Sequence, residues 1–227
     1  MSLILHIDTA TETAGVYLAL EGMMIAAAVN QQQQDHAKWV HPAIEKLMHD
    51  AGYAMQNLKA IAVTAGPGSY TGLRVGMATA KGLCYALSIP LITENTLRLM
   101  TAAAITRIHN SSVPQLSLFC PLIDARRMEV FTAIYDGRLE EIVAPSAMIL
   151  TENSFDQQLA SGPVIFFGGG ATKWKGICNH QNACFEIVTA NGKEFSSLSY
   201  TKFMRNEFTS LAYAEPVYLK EFYTHPK

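Results

Sequence analysis

Charge is what this sequence lacks most: Asp, Glu, Lys and Arg together make up 16% of 227 residues, against roughly 25% in an ordinary soluble domain. The 17 Lys and Arg nearly cancel the 19 Asp and Glu, leaving a net charge of −2, so no basic field exists to condense unaided on nucleic acid. Cysteine is scarce too. The four cysteines stand at 84, 120, 178 and 184 without a C-x-x-C pair, which excludes a disulfide-stapled secreted scaffold. Cys178, His180 and Cys184 make a loose C-x-H-x3-C, which is wider than the ligand pairs zinc sites use. No apolar run reaches the roughly 18 residues of a membrane span, because Glu21-Gly22 interrupts the longest. Met1 to Asp8 lacks the basic start of a signal peptide and meets a carboxylate early, so a cytoplasmic location is expected. What is abundant is apolar side chain, at 49%, enough for one large or two small domains.

The pattern along the chain alternates strand and helix. Leu3 to Ile7, Gly15 to Leu20 and Met23 to Val29, with Glu21-Gly22 as a turn, read as a three-stranded meander. The short polar tract Gln31 to Gln34 follows, ending at Asp35, a candidate N-cap. Val40, Ile44, Leu47, Met48 and Ala51 then recur at helical spacing, with Gly52 as the stop. Leu58 to Thr64 is a strand that runs into Gly66-Pro67-Gly68-Ser69, and a helix is predicted from Thr71 to Leu87. Pro90-Leu91-Ile92 is extended, and Thr96 to Ile108 is helical, which completes βββαβα. Ser111 to Pro114 reads as a linker, giving domains at 1–108 and 109–227, the second smaller and its final segment free to pack back on the first. Strands at 116–123, 130–135 and 139–143 restart the meander, Pro163 to Phe167 enters Gly168-Gly169-Gly170, and Phe185 to Val188 is a further strand. Ser197 to Asn206 reads as a helix and Leu219 to His225 as a tail. Element order alone suggests a duplication.

Two segments carry candidate chemistry. Ile7-Asp8-Thr9-Ala10-Thr11 lies between the first two strands, where a hairpin presents backbone N–H groups and a carboxylate. In the actin, hexokinase and Hsp70 (ASKHA) superfamily this hairpin reads D-x-G-T and faces nucleotide phosphates; here Ala10 replaces the glycine, and its β-carbon is expected to crowd a phosphate. The run from Gly66 to Gly76, GPGSYTGLRVG, feeds a strand through a Gly-Pro-Gly turn onto a helix that Ser69 can cap. A helix start of this kind can attract an anion, but neither a Walker lysine nor a dinucleotide fingerprint is present. Asp8, Thr9, Ser69, Gly168, Gly169 and Gly170 are therefore candidates for a vestigial nucleotide loop, with a plain structural turn as the alternative.

Taken with Pro90-Leu91-Ile92, the segment from Ile123 to Phe131 (IDARRMEVF) and Glu215-Pro216-Val217-Tyr218-Leu219, these motifs resemble the bacterial TsaB (YeaZ) family, paralogues of TsaD. Phe131 stands for a usual tyrosine and Lys220 for a common arginine. The resemblance implies an α/β, two-lobed ASKHA fold. It also implies a role in forming N6-threonylcarbamoyladenosine at position 37 of ANN-decoding tRNAs. In that role the chain is a non-catalytic partner of TsaD in an assembly with the ATPase TsaE, a homodimer when alone, and touches tRNA only through the complex. No cofactor of its own is implied; ATP or ADP belongs to the complex, through TsaD and TsaE. The first two helices of the family form the contact with TsaD and, in its absence, the homodimer. On that basis Val40, Ile44, Met48, Gly72, Gly76 and Ala80 are the expected partner-facing residues.

The residues argue against independent chemistry. The TsaD-like HxxxH metal pair would fall on Thr96 and Met100, neither of them an imidazole. His36 and His41 are five apart, and five residues turn a helix by about 500°, which separates their faces. Asp124 and Glu129 flank Arg126 and Arg127 and read as an ion-paired turn rather than an acid–base pair. No catalytic and no metal-binding residue is assigned. The rival readings are an ATP-dependent phosphotransferase of the same superfamily and a glycoprotease-like metallopeptidase homologue. Direct tRNA binding would rest on Lys173-Trp174-Lys175 alone, which is read as a surface turn.

Overall fold

The computed structural model describes residues 1–31, 36–108, 117–188 and 192–220. Asp35, most of the polar tract after Gln31, the linker Ser111 to Pro114 and the tail beyond Lys220 lie outside the described residues.

In the first half, β1 (Leu3–Asp8), β2 (Ala14–Leu20) and β3 (Met23–Asn30) form the meander, and α1 (His36–Asp50) leads to β4 (Leu58–Gly66). Then come α2 (Tyr70–Leu87), β5 (Leu91–Asn95) and α3 (Thr96–Ile108). The second half repeats the order with β6 (Leu118–Asp124), β7 (Glu129–Tyr135), β8 (Glu141–Ile149), α4 (Asp156–Ser161), β9 (Val164–Phe167), α5 (Ala171–Lys175), β10 (Ala183–Phe185) and α6 (Gly192–Met204). The sheets run β3-β2-β1-β4-β5 and β10-β9-β6-β7-β8. In each, the first three strands of the half are antiparallel neighbours and the last two join in parallel. The duplication suggested by element order is thus a duplication of sheet topology.

β1 shows why these strands read as unbroken apolar runs: both faces of its sheet are covered. Leu3, Leu5 and Ile7 share one core with Val40, Ile44 and Met48 of α1 and with Met77 and Ala80 of α2. Ile4, with Tyr17, Ala62 and Ile92, lies on the other face against Phe195 of α6, as the period of two requires. The second sheet has a separate core in which Trp174 of α5 lies edge-on to Phe155 and Phe166, at 5.4 and 5.8 Å between ring centres.

Chain division departs from the expected break at 108/109. One compact unit comprises Met1–Leu99 with Ala190–Pro216, the other Met100–Thr189 with Val217–Lys227. The boundary therefore falls inside α3, and it is α6 that returns to the first unit, because Phe195, Leu198 and Phe203 supply the apolar cover of that sheet's second face. α6 also begins well before Ser197, at Gly192. β8 is longer than residues 139–143 and continues through Pro145, which an edge strand tolerates because its outward N–H is not needed. β10 ends at Phe185, where the predicted strand began. Lys173-Trp174-Lys175 is the body of α5, with Trp174 fully buried, so no aromatic platform for a base exists there.

Candidate functional site

In the first unit the β1–β2 hairpin and the β4–α2 loop meet at the strand ends. Parallel pairing of β1 with β4 sets Ile7 beside Val63, so Asp8, the last residue of β1, lies beside Thr64 near the end of β4. Thr64 Oγ1 donates to Asp8 Oδ1 at 2.9 Å, and the Ala10 N–H donates to the same oxygen at 3.1 Å. Burial pushes the Asp8 carboxyl above its ordinary range; the two hydrogen bonds and the His36 imidazole oppose that shift. Thr9 Oγ1 donates to the Gly72 carbonyl at 2.7 Å, and the Ser69 N–H donates to the Ala10 carbonyl at 2.7 Å. Ser69 is the N-cap of α2, its hydroxyl accepting from Gly72 N–H at 3.3 Å.

The glycines of this loop exist for close approach. A β-carbon on Gly68 would lie 2.1 Å from the Ala10 carbonyl oxygen, one on Gly72 2.0 Å from that of Thr9, and one on Gly76 2.4 Å from Thr9 Oγ1. Gly66 turns the chain at φ +115°, ahead of a cis peptide bond to Pro67. The hairpin and loop thus spend their polar groups on each other. Ala10 is fully buried, and its methyl is the third neighbour of a carbon built on Gly68. The Ala10 β-carbon is therefore turned into the chain's own loop.

The second unit repeats the arrangement with different chemistry. The Asp124 carboxylate ends β6 as Asp8 ends β1, and it too accepts the N–H two residues on, that of Arg126, at 2.6 Å. Gly170 N–H donates to the Leu122 carbonyl at 2.8 Å, as Ser69 does to Ala10 in the first unit. Gly168 has φ +95°, and a β-carbon on it or on Gly170 would strike the Leu122 backbone or its neighbours, whereas Gly169 has open space. Asp124 is half-exposed and paired with Lys173 Nζ at 2.7 Å, and Glu129 is paired with Lys220. Both carboxylates are therefore in ion pairs, but with lysines from later in the chain, not with Arg126 and Arg127. Those two arginines project from the hairpin with φ of +70° and +49°. Hydrogen bonding and the Lys173 ammonium hold the Asp124 carboxyl below its usual range against the effect of burial.

Of the sequence-predicted site residues, Asp8, Thr9 and Ser69 come together in the first unit, while Gly168, Gly169 and Gly170 build the equivalent turn of the second. The six expected partner-facing residues require correction. Val40, Ile44, Met48 and Ala80 are at most 3% exposed, and Gly72 and Gly76 are buried against Thr9. Their helical periodicity marks the face that packs on the sheet and leaves the opposite one exposed. That opposite face carries Ala37, His41 and Glu45 on α1 and Ala78, Gly82 and Tyr85 on α2, all exposed. The two rows are neighbours, since His41 Nε2 lies 3.4 Å from Thr79 Oγ1.

His36 and His41 part as the helical turn predicts. His36 is buried and donates from Nε2 to the Thr11 carbonyl at 3.3 Å, while its Nδ1 finds no partner among the described residues. Thr96 and Met100, in the register of the metal pair, are both buried. Among the described residues no cluster of three or more His, Cys, Asp or Glu could hold a metal ion, and no helix is long and apolar enough to cross a membrane. The reading of residues missed Thr64 and the two pairing lysines. Thr64 had a signal, a lone hydroxyl in an apolar strand; Lys173 and Lys220 had none, because their partners are 49 and 91 residues away.

Comparison with known proteins agrees with this arrangement. A family model described as tRNA N6-adenosine threonylcarbamoyltransferase, TsaD, matches residues 24–190. The tRNA threonylcarbamoyladenosine biosynthesis protein TsaB of Bacillus subtilis is 35% identical over 168 residues, 73% of this chain and 70% of that protein. The Escherichia coli protein of the same name is 28% identical over 228 residues, covering 96% and 94%. The solved structure of YeaZ from Pseudomonas aeruginosa superposes with a TM-score of 0.78 at 26% identity, over 96% of this chain and all of that one. The fold is α/β, two mixed five-stranded sheets with packed helices, as in YeaZ, and the chain belongs to the TsaB (YeaZ) family.

Proposed function

We propose that this chain takes part in tRNA threonylcarbamoyladenosine biosynthesis as a cytoplasmic subunit without chemistry of its own, binding TsaD and favouring its active state. The participation rests on the relatives named TsaB. The silence rests on one observation, the mutual satisfaction of hairpin and loop: Ser69 N–H, Gly72 N–H and Thr9 Oγ1 are all committed within the chain, where a phosphate-binding turn would hold such groups toward a ligand. The residues present therefore do not fit a nucleotide held by this turn, and any ATP or ADP is assigned to the complex with TsaD and TsaE. A subunit of this kind works by differential affinity for the states of its partner.

The surface proposed for TsaD is the outer face of α1 and α2, with Tyr85, 82% exposed, as the aromatic anchor. Tyr85→Asp should abolish co-purification with TsaD and leave the melting temperature unchanged. The decisive experiment reconstitutes tRNA modification from TsaD, TsaE and threonylcarbamoyl-AMP with and without this chain. Modification should depend on the chain, and the isolated chain should neither hydrolyse ATP nor modify tRNA. Robust ATP turnover by the isolated chain would favour the phosphotransferase reading instead.

A further inference from the structure

Two adjacent arginines, Arg126 and Arg127, form the tip of the β6–β7 hairpin in the second unit, with φ of +70° and +49°. That left-handed region favours glycine and asparagine, so neither arginine is there for the sake of the turn. The stem beneath them is closed. Arg126 N–H donates to Asp124 Oδ1 at 2.6 Å, Ala125 N–H to the Glu129 carbonyl at 3.0 Å, and Glu129 N–H to the Arg126 carbonyl at 3.1 Å. Both arginines are exposed, and the carboxylates that would neutralise them are taken. Asp124 pairs with Lys173 Nζ at 2.7 Å and Glu129 with Lys220, while no carboxylate pairs with either guanidinium among the described residues. Elsewhere Arg74 lies 4.1 Å over the Tyr70 ring, Arg98 pairs with Glu94, and Arg205 with Glu207. The hairpin and the two lysines that reach it thus bring four cations against two carboxylates to one tip, a local excess in a chain of net charge −2. The counterpart hairpin of the first unit, between β1 and β2, has no cation from Thr9 to Thr13, buries Thr9 and Ala10, and bonds to its own loop.

We infer that the β6–β7 tip is a contact site for the sugar–phosphate backbone of RNA, with the Arg126 and Arg127 guanidiniums each meeting a phosphate. The chemistry selects this ligand. A mononucleotide needs a concave pocket around its base and sugar, which an exposed two-residue turn does not supply. A polyanionic backbone needs only cations presented outward on a fixed stem, and arginine's planar fork bonds a phosphate bidentately. Lys173 and Lys220 complete the site indirectly, because by neutralising Asp124 and Glu129 they leave the charge of the arginines uncancelled. An acidic protein segment would answer the same charges, but participation in tRNA threonylcarbamoyladenosine biosynthesis places a polyanion with the chain. The assignment of RNA rests on that proposed role and adds to it a contact made by this chain's own residues. Contacts of this kind position a nucleic acid without reading its sequence. Two of them in a near-neutral chain bind weakly alone and add to whatever an assembly provides.

The test is fluorescence anisotropy of a labelled tRNA transcript titrated with the full chain alone, from about 20 to 200 mM salt. The wild type should bind at the low end, and Arg126→Gln with Arg127→Gln should weaken binding there by roughly tenfold and flatten the slope of log K against log salt by about 2, one for each lost phosphate contact. Arg126→Asn with Arg127→Gly, residues suited to the backbone, should lose the same affinity while raising the melting temperature, a divergence that a purely structural role for the arginines would not produce. Arg126→Lys with Arg127→Lys should keep most of the slope. A wild type that does not bind RNA even at low salt, or a Gln variant that binds with unchanged slope, would overturn the inference. So would ATP binding lost in the same variant, which would make the tip a nucleotide site, or a polyglutamate peptide bound as tightly as the transcript, which would make it a site for an acidic protein. The titration contains no TsaD and no group transfer, so it can fail while modification still requires the chain, and the reconstitution can fail while the tip still binds RNA.

Discussion

His6 sits fully buried in the middle of β1, with Nδ1 directed to the Tyr17 carbonyl at 3.4 Å and Nε2 2.6 Å from Ser199 Oγ on α6. The Phe195 ring meets it edge-on at 5.0 Å. Desolvation lowers its pKa from 6.5 to about 4, outweighing the backbone hydrogen bonds. The folded state therefore holds His6 neutral while the unfolded state protonates near 6.5, so its contribution is intact above 6.5 and falls as pH drops toward 4. Urea unfolding should show the wild type losing about 2 kcal/mol between pH 7 and pH 5 through this group, and His6→Asn should flatten that slope. An unchanged slope in the variant would assign the acid sensitivity elsewhere. Two glycines of α2 make a sharper contrast. Gly82 has nothing within 4 Å of a built β-carbon, so Gly82→Ala should stabilise by about 0.5–1 kcal/mol through helix propensity. Gly72→Ala drives a carbon to 2.0 Å from the Thr9 carbonyl and should cost more than about 3 kcal/mol, forcing the hairpin from the loop. Thermal melts of the pair decide whether the glycines serve packing within the chain or a partner.

At the scale of elements, one clamp ties α6 and α3 to β5. Glu94 is 1% exposed, its Oε2 3.1 Å from Lys202 Nζ and 3.8 Å from Arg98. Lys202 also donates to the Thr93 carbonyl at 2.7 Å, and Thr93 Oγ1 lies 2.8 Å from Thr209 Oγ1. Burial raises the Glu94 pKa against the pull of Lys202 and Arg98. Lys202→Met removes the nearer cation and should cost about 3 kcal/mol at pH 7, the low end for a broken buried pair because Arg98 remains. A carboxyl with a raised folded pKa takes up its proton more readily folded than unfolded, so the gap between Lys202→Met and wild type should narrow as pH falls toward 5. Denaturant titrations at both pH values read it; a gap that widens would place the lost stability outside Glu94. The tie to α6 was not visible in the sequence, because Lys202 stands 109 residues from Thr93. What the sequence did reveal was local. Gly66-Pro67-Gly68-Ser69 announced a turn and a capped helix, and the apolar runs of β1 to β3 with the turn at Glu21-Gly22 announced a meander. The start of α6 was hidden because Gly192 and the serines 196, 197 and 199 are poor helix formers; Phe195, Leu198 and Phe203, packed on the first sheet, hold it helical. The residues expected to face a partner are buried for the complementary reason: periodicity identifies an apolar stripe, and on α1 that stripe is the one turned inward.

For the whole molecule, the return of α6 makes the first unit discontinuous, and this can be tested by cutting the chain. A break after residue 108 respects the linker legible in the sequence but removes Phe195, Leu198 and Phe203 from the sheet face formed by Ile4, Tyr17, Ala62 and Ile92. It also removes Ser199 from His6 and Lys202 from Glu94, leaving each of two buried polar groups one partner short. Each Phe or Leu so lost forgoes roughly 1.5–3 kcal/mol of burial, and the sum rivals the 5–15 kcal/mol that holds an ordinary domain folded. Fragment 1–108 should therefore lack a cooperative thermal transition and bind hydrophobic dye. Co-expression with residues 190–216, or fusing that segment to the fragment through a flexible linker, should restore a single sharp transition. The paired measurement separates two causes of failure: a fragment rescued by the segment lacks cover for its sheet, whereas one that the segment cannot rescue needs the second unit as well. A cooperative transition in 1–108 alone would show that the α1 and α2 face is sufficient for the fold and that α6 is an accessory, which the burial of His6, Ile4 and Phe195 argues against.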